Sequence, residues 1–350
     1  MAQKRRLAPV NGTTQLEDTW LPHLRELCDD IRSAVSRVVA SSQPAELSRI
    51  LGQGAGDISF GIDAPAELAA AAWLETRART GPLSLLTEER GWQHRGPGPS
   101  GEPVELADFD HGGPRICLDP LDGTRNLMMD LRSAFTVLAW AAPGSGQPRL
   151  ADASLGLVSE IPTGNSQSYS RLVGQRRGAC QLETFALSGQ PLCAASDLRV
   201  DDCVSVDNGY FCFFRFSPAL RPAIATLEAA FFARLVALEG ARPDSWYDDQ
   251  YCSNGAQLFL TARGTYRMVA DLRAHLAARA GSETVTAKPY DLAGAVICAQ
   301  AAGCSVTAPN GTPLDFPLDA TTPVSFVAWA NSASADRLAP HLLACLADVD

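Results

Sequence analysis

The segment Asp119-Pro120-Leu121-Asp122-Gly123-Thr124 places two carboxylates three positions apart, directly after the apolar run Ile116, Cys117 and Leu118. A short apolar run of this kind reads as a buried strand, so the acids stand at a strand's end. Pro120 is expected to stop the ladder and Gly123 to permit a tight turn, so that Asp119, Asp122 and the Leu121 carbonyl can face one spot. All three are hard oxygen donors of the kind that suits Mg2+. If a helix begins after Gly123, its backbone N–H groups are free to hold an anion such as phosphate. A turn in which Asp122 merely caps a helix is the plainer alternative, but six such residues in this order make a rare string at average residue usage.

This motif resembles the signature of the inositol monophosphatase family, Mg2+-dependent, lithium-sensitive phosphomonoesterases that include fructose bisphosphatases and nucleotide 3'-phosphatases. A second match is Lys288-Pro289-Tyr290-Asp291-Leu292-Ala293-Gly294-Ala295 followed by Ala301-Ala302-Gly303, with Tyr290 where the family usually has Trp. Asp291 precedes an apolar segment running to Ala302, and Gly303 is placed to cap its C-terminus, so Asp291 also reads as a simple N-cap. Upstream, the apolar Leu83-Ser84-Leu85-Leu86 leads into Thr87-Glu88-Glu89, where the family carries a Glu pair. Asp63, in Phe60-Gly61-Ile62-Asp63-Ala64-Pro65, matches a further acid and equally fits an ordinary helix start. The four pieces follow the family's order from Asp63 to Gly303.

The resemblance implies an α+β fold, a layered αβαβα sandwich, and two or three Mg2+ ions as cofactors. It assigns metal-binding roles to Glu88, Asp119, Leu121, Asp122, Asp291 and Asp63, and catalytic roles to Glu88, Thr124 and Asp122. Substrate binding falls to Asp122, Gly123, Thr124, Asn254, Gly255 and Asp291. The charges support such a cage. A phosphate monoester dianion repels a water nucleophile, and carboxylates alone would worsen this, so these acids are useful only if they gather divalent cations. The expected reaction is direct attack of a metal-activated water, oriented by Glu88 and Thr124, with no covalent intermediate. Arg125 follows at once but reads as a solvated first-turn residue.

Two departures bear on substrate. Cys252-Ser253-Asn254-Gly255-Ala256 resembles the family's pocket segment, with Asn254 and Gly255 in place of small alanines. Thr284 stands seven residues before Asp291, where inositol-specific members carry a Glu, whereas Met268-Val269-Ala270-Asp271-Leu272-Arg273 resembles a strand of archaeal-type sugar phosphatases. A small phosphorylated sugar or polyol is therefore the expected substrate. The alternative is a family member of weak turnover that binds a phosphometabolite as a regulatory protein.

The chain that must position these groups has 350 residues, 46% of them hydrophobic and 19% charged, enough for a large core. Its net charge of -10 argues against a nucleic-acid partner. There is no apolar span of membrane length and no secretory leader pattern, which points to a cytoplasmic protein with no membrane partner; a homodimer is the default from the resemblance. Ten scattered cysteines lack any Cys-x-x-Cys spacing, so neither a zinc site nor a disulfide scaffold is expected. The five histidines show no metal spacing and no Ser partner that would suggest a catalytic triad, and His111 reads as an exposed loop residue. Helices are expected over Leu16 to Ala40, Ala64 to Thr80 and Ala219 to Leu238. Strands are expected over Phe135 to Ala141, Ser154 to Ser159 and Gln167 to Val173, with a surface loop from Trp92 to Pro114. Residues 1–14 read as a disordered tail, 15–185 as a first lobe carrying Glu88 and the double-Asp motif, and 186–350 as a second carrying Asp291.

Overall fold

Alternating side chains in the first half of the chain build one long sheet with both faces covered. The computed structural model describes residues 11–53, 58–242 and 244–348. Its first half runs α1 (Asn11–Ser41), α2 (Pro44–Leu47), β1 (Ile50–Gln53), β2 (Ile58–Phe60), α3 (Asp63–Ala78), β3 (Leu83–Thr87), β4 (Gly91–Pro97) and β5 (Pro103–Glu105). It continues with β6 (Arg115–Asp122), α4 (Thr124–Met128), β7 (Ala134–Ala141), β8 (Ala153–Ile161), β9 (Ser168–Gln175), β10 (Cys180–Ala186) and β11 (Ser196–Leu198). The second half holds β12 (Gly209–Phe213), α5 (Arg221–Glu239), β13 (Trp246–Tyr247), α6 (Asn254–Ala262), β14 (Tyr266–Asp271) and α7 (Arg273–Ala280). It closes with α8 (Pro289–Ala302), β15 (Ser305–Thr307), β16 (Phe326–Trp329) and α9 (Ser332–Asp348).

Nine strands form the first sheet in the order β11-β10-β9-β8-β7-β6-β3-β4-β5, and five form a second in the order β13-β12-β14-β16-β15. Along β6 and β7 the side chains divide by parity. Ile116, Leu118, Leu138 and Trp140 join a core with Leu24, Leu27 and Ile31 of α1 and Ala70 and Trp73 of α3. Cys117, Val137, Ala139 and Ala141 face the other way, into a core with α6, α8 and the second sheet. A third core sits between the second sheet and α5 and α9. The order is helix, sheet, helix, sheet, helix: the layered αβαβα arrangement expected of an α+β chain.

The central helix α8 lies close on the sheet because its residues are small. A Cβ on Gly294 would sit 2.0 Å from the Leu138 carbonyl oxygen, and one on Gly156 would sit 2.2 Å from that of Gly294. This contact brings the N-terminus of α8, and Asp291 with it, towards the end of β6.

Four expectations change. Helix α1 begins at Asn11, inside the stretch read as a disordered tail, because the polar residues before Leu16 need no burial to extend an amphipathic helix; residues 1–10 lie outside those described. The segment read as a surface loop from Trp92 to Pro114 instead adds β4 and β5 to the sheet edge, β4 pairing with β3 from Leu83↔Arg95 to Thr87↔Gly91. Strand β11, beyond the expected lobe boundary at 185, still pairs with β10, so the first sheet extends to Leu198. His111 is half-buried, not exposed: its Nε2 and the Nδ1 of His94 each lie 2.7 Å from the Ser84 hydroxyl, so these histidines do have a Ser partner. Ser84 is wholly buried on β3, which suits a structural relay and not a nucleophile. All ten cysteines are free thiols. No described helix is long and apolar enough to cross a membrane.

Candidate active site

Pro120 does not end β6; it bends it. Asp119 stands opposite Val137 and Asp122 opposite Phe135, so three steps on β6 match two on β7. In a regular strand, residues three apart point to opposite faces. The bulge at Pro120 and Leu121 adds the residue that brings both carboxylates to the same side. Gly123 then turns the chain with φ at 96°, a left-handed conformation that favours glycine, and α4 begins at Thr124.

Glu88, just past β3, joins Asp119, Leu121, Asp122, Gly123, Thr124, Asn254 and Asp291 in lining one cavity of about 100 Å³. Three separate elements thus deliver four carboxylates to it. Asp119 and Asp122 are buried; Glu88 and Asp291 are half-buried. Asp119 Oδ1 accepts the Leu121 N–H at 2.9 Å, and Asp291 Oδ2 accepts that of Lys288 at 2.7 Å. Asp122 Oδ2 accepts the Ser253 hydroxyl at 2.7 Å and the Gly255 N–H at 2.6 Å, at the start of α6.

Burial raises every one of these acids. The Glu88 carboxyl is pushed up to about 8, by desolvation first and the charge of Asp291 second, with a hydrogen bond from Tyr290 opposing. Desolvation and neighbouring carboxylates also raise Asp119 and Asp122; Asp291 rises through burial, against the pull of Lys288 and Arg273. Crowded anions in a low-dielectric pocket must take up protons or cations.

Asp63 and Gly255 lie beside the cavity. Asp63 Oδ1 accepts the Thr124 hydroxyl at 2.8 Å and its Oδ2 the Phe60 N–H at 2.6 Å, while its side chain lines a small adjoining void with Glu88 and Asp119. Burial pushes its carboxyl up to about 6. The Thr124 hydroxyl is also 2.9 Å from the Leu121 carbonyl, so its single proton is already contested. Gly255, expected to touch substrate, gives its N–H to Asp122. Asn254 lines the cavity, and its side chain donates to Asp271 Oδ2 at 3.1 Å. Arg125, read as solvated, has its guanidinium 5.4 Å from the Phe60 ring centroid and 5.3 Å from that of Phe216.

The sequence reading gave no site role to five further residues that line the cavity: Phe214, Phe216, Arg273, Val285 and Thr286. It also gave no role to Ser253, which caps α6 by accepting the Ala256 N–H at 3.0 Å while donating to Asp122. A Ser directly before a helical run was the available signal.

Comparison of the sequence with family models and with curated proteins returned no match. Solved structures do match. An inositol monophosphatase–fructose 1,6-bisphosphatase superposes with a TM-score of 0.61 at 16% identity, covering 93% of this chain and 99% of that one. Leishmania major fructose-1,6-bisphosphatase gives 0.64 at 12%, covering 93% of both chains, and inositol monophosphatase from Anabaena gives 0.56 at 16%, covering 93% and 96%. The chain has the fold of these phosphatases.

Proposed function

We propose that this protein belongs with the inositol monophosphatase and fructose bisphosphatase phosphatases and hydrolyses a small sugar or polyol phosphate with the help of Mg2+. The observation that carries the reading is the delivery of Glu88, Asp119, Asp122 and Asp291 to one cavity. The donor set is all oxygen, which fits a hard divalent cation. Among the described residues no three acid, His or Cys side chains already form a finished ligand shell. The acids share a pocket in which hydrogen bonds from Leu121, Lys288, Ser253 and Gly255 anchor Asp119, Asp291 and Asp122, with Asp119 and Asp291 within hydrogen-bond reach of each other. Glu88, Asp119, Asp122, Asp291 and the Leu121 carbonyl would hold two ions, and Asp63 a further one.

Mg2+ bound there supplies the positive charge that offsets the phosphate dianion and makes a water nucleophilic. The chain's own groups do the rest. Glu88, ionised once cations offset the charge of its neighbours, would accept a proton from the attacking water, and Thr124 would help to orient that water. Gly123 and Thr124 present backbone N–H groups to the phosphate oxygens. The test is phosphate release from inositol 1-phosphate, fructose 1-phosphate and fructose 1,6-bisphosphate, with Mg2+ and with EDTA. Asp119→Asn should abolish Mg2+-dependent release and weaken Mg2+ binding while leaving the unfolding midpoint near that of the wild type. Undiminished activity in that variant removes the metal-cage reading.

A further inference from the structure

Three of the four cavity acids are anchored by backbone N–H groups. Asp119 accepts that of Leu121 at 2.9 Å, Asp291 that of Lys288 at 2.7 Å and Asp122 that of Gly255 at 2.6 Å. Glu88 is placed differently. It stands in the turn after β3, on a side chain one methylene longer than an aspartate's, with more rotamer freedom to lose before it points one way. A partner within reach comes from α8. Tyr290 precedes Asp291 in the first turn of that helix, is only 3% exposed and lines the cavity together with Glu88. Its phenol is within hydrogen-bond reach of the Glu88 carboxyl. The residue usual in similar phosphatases, Trp, could donate only from the flank of its ring, whereas the phenol donates from its tip.

We propose that Tyr290 is a positioning residue: its hydroxyl donates to one oxygen of Glu88, leaves the other oxygen to the cavity, and ties the turn after β3 to the helix end that carries Asp291. Helix α8 is itself seated on the sheet at Gly294, where an added Cβ would lie 2.0 Å from the Leu138 carbonyl oxygen. The phenol therefore fixes the separation of Glu88 and Asp291, two acids that arrive from separate elements and must face the same cations. Burial and the charges of Asp291, Glu88 and Asp119 hold the phenol far above its ordinary value, so it stays a neutral donor and does not compete as a ligand. This inference rests on the metal-cage reading above. Groups that orient a metal-binding carboxylate in this way contribute about 10–100-fold in metal affinity or activity.

The experiment is calorimetric titration of Mg2+ into the full-length protein in the absence of any substrate. It uses the wild type, Tyr290→Phe, Glu88→Gln and the variant carrying both changes. Tyr290→Phe removes one oxygen and keeps the buried ring, while Glu88→Gln leaves Asp119, Asp122 and Asp291 to bind the ion. Tyr290→Phe alone should bind Mg2+ about tenfold more weakly than the wild type. In the Glu88→Gln background the same change should alter Mg2+ affinity less than about twofold, because the carboxylate that the phenol serves is gone. Wild-type affinity in Tyr290→Phe overturns the inference while leaving the metal-cage reading standing. An equal loss in both backgrounds overturns it too, since Tyr290 would then act through the packing of α8 and not through Glu88. A wild type that takes up no Mg2+ overturns the metal-cage reading, and this inference with it.

Discussion

Replacing Gly255 by Ala adds one methyl group at a point where two neighbours leave no room. The new Cβ would lie 2.5 Å from Val137 Cγ2 and 2.7 Å from Asp122 Oδ2, both closer than real Cβ contacts. Val137 is wholly buried on β7, and a β-branched side chain has little rotamer freedom to yield. Asp122 must therefore move, against the hydrogen bonds it accepts from Ser253 and from Gly255 itself. Overpacking of this kind destabilises by about 1–3 kcal/mol. A carboxylate displaced by roughly 1 Å from its working position lowers catalysis by about 10²-fold. Gly255→Ala should thus lose about 2 kcal/mol in urea unfolding, and about 10²-fold in kcat/KM with a raised Mg2+ requirement. The substitution moves the segment towards the alanines of similar phosphatases, so a purely family-based reading expects gain or neutrality. Wild-type stability and activity together would refute the packing argument. Lost stability with full activity would show that the position of Asp122 does not govern the chemistry.

Asp271 and Arg273 form a buried ion pair beneath the cavity wall, so Asp271→Ala strands a buried guanidinium and should lower urea stability by about 3–5 kcal/mol. A double change to Asp271→Leu and Arg273→Met should recover much of that loss; no recovery would mean that the pair is held for more than charge balance. The relay through Ser84 sets both histidine tautomers: His111 Nδ1 accepts the Gly113 N–H at 3.0 Å, so its Nε2 donates to Ser84, whose proton serves His94. Burial lowers both histidines below 6.5, with Asp108, Glu105 and Asp110 opposing and Arg115 assisting, so below that pH the unfolded chain binds more protons than the folded one. The histidines' share of the stability should be level above pH 6.5 and fall on acidification below it, against the opposite slope that the raised cavity acids impose up to about pH 8, so His94→Gln with His111→Gln should change the profile only below pH 6.5. An identical pH profile in the double variant would exclude the relay.

What the chain discloses before folding divides along a physical line. The acids were legible because each sits in a local pattern that survives folding: a strand end, a helix start, a turn glycine. Their convergence was expected as well, but by another route: the turn was to follow a break at Pro120, whereas one extra residue at Pro120 and Leu121 bulges the strand and turns Asp122 to the face of Asp119. The small residues of α8 announced burial, but not that Gly294 and Gly156 would bring that helix within contact of β7 and carry Asp291 to the site. At Asn254 and Gly255 the resemblance marked the segment but not its partners within the chain: the Asn254 side chain meets Asp271, and the Gly255 N–H meets Asp122, 17 and 133 positions away. The rest of the lining was invisible for the same reason: Phe214, Arg273 and Thr286 come from three segments with no common pattern. Such positions carry no local signature, so the chemistry a chain could do is readable early and the lining of its pocket only once the segments are assembled.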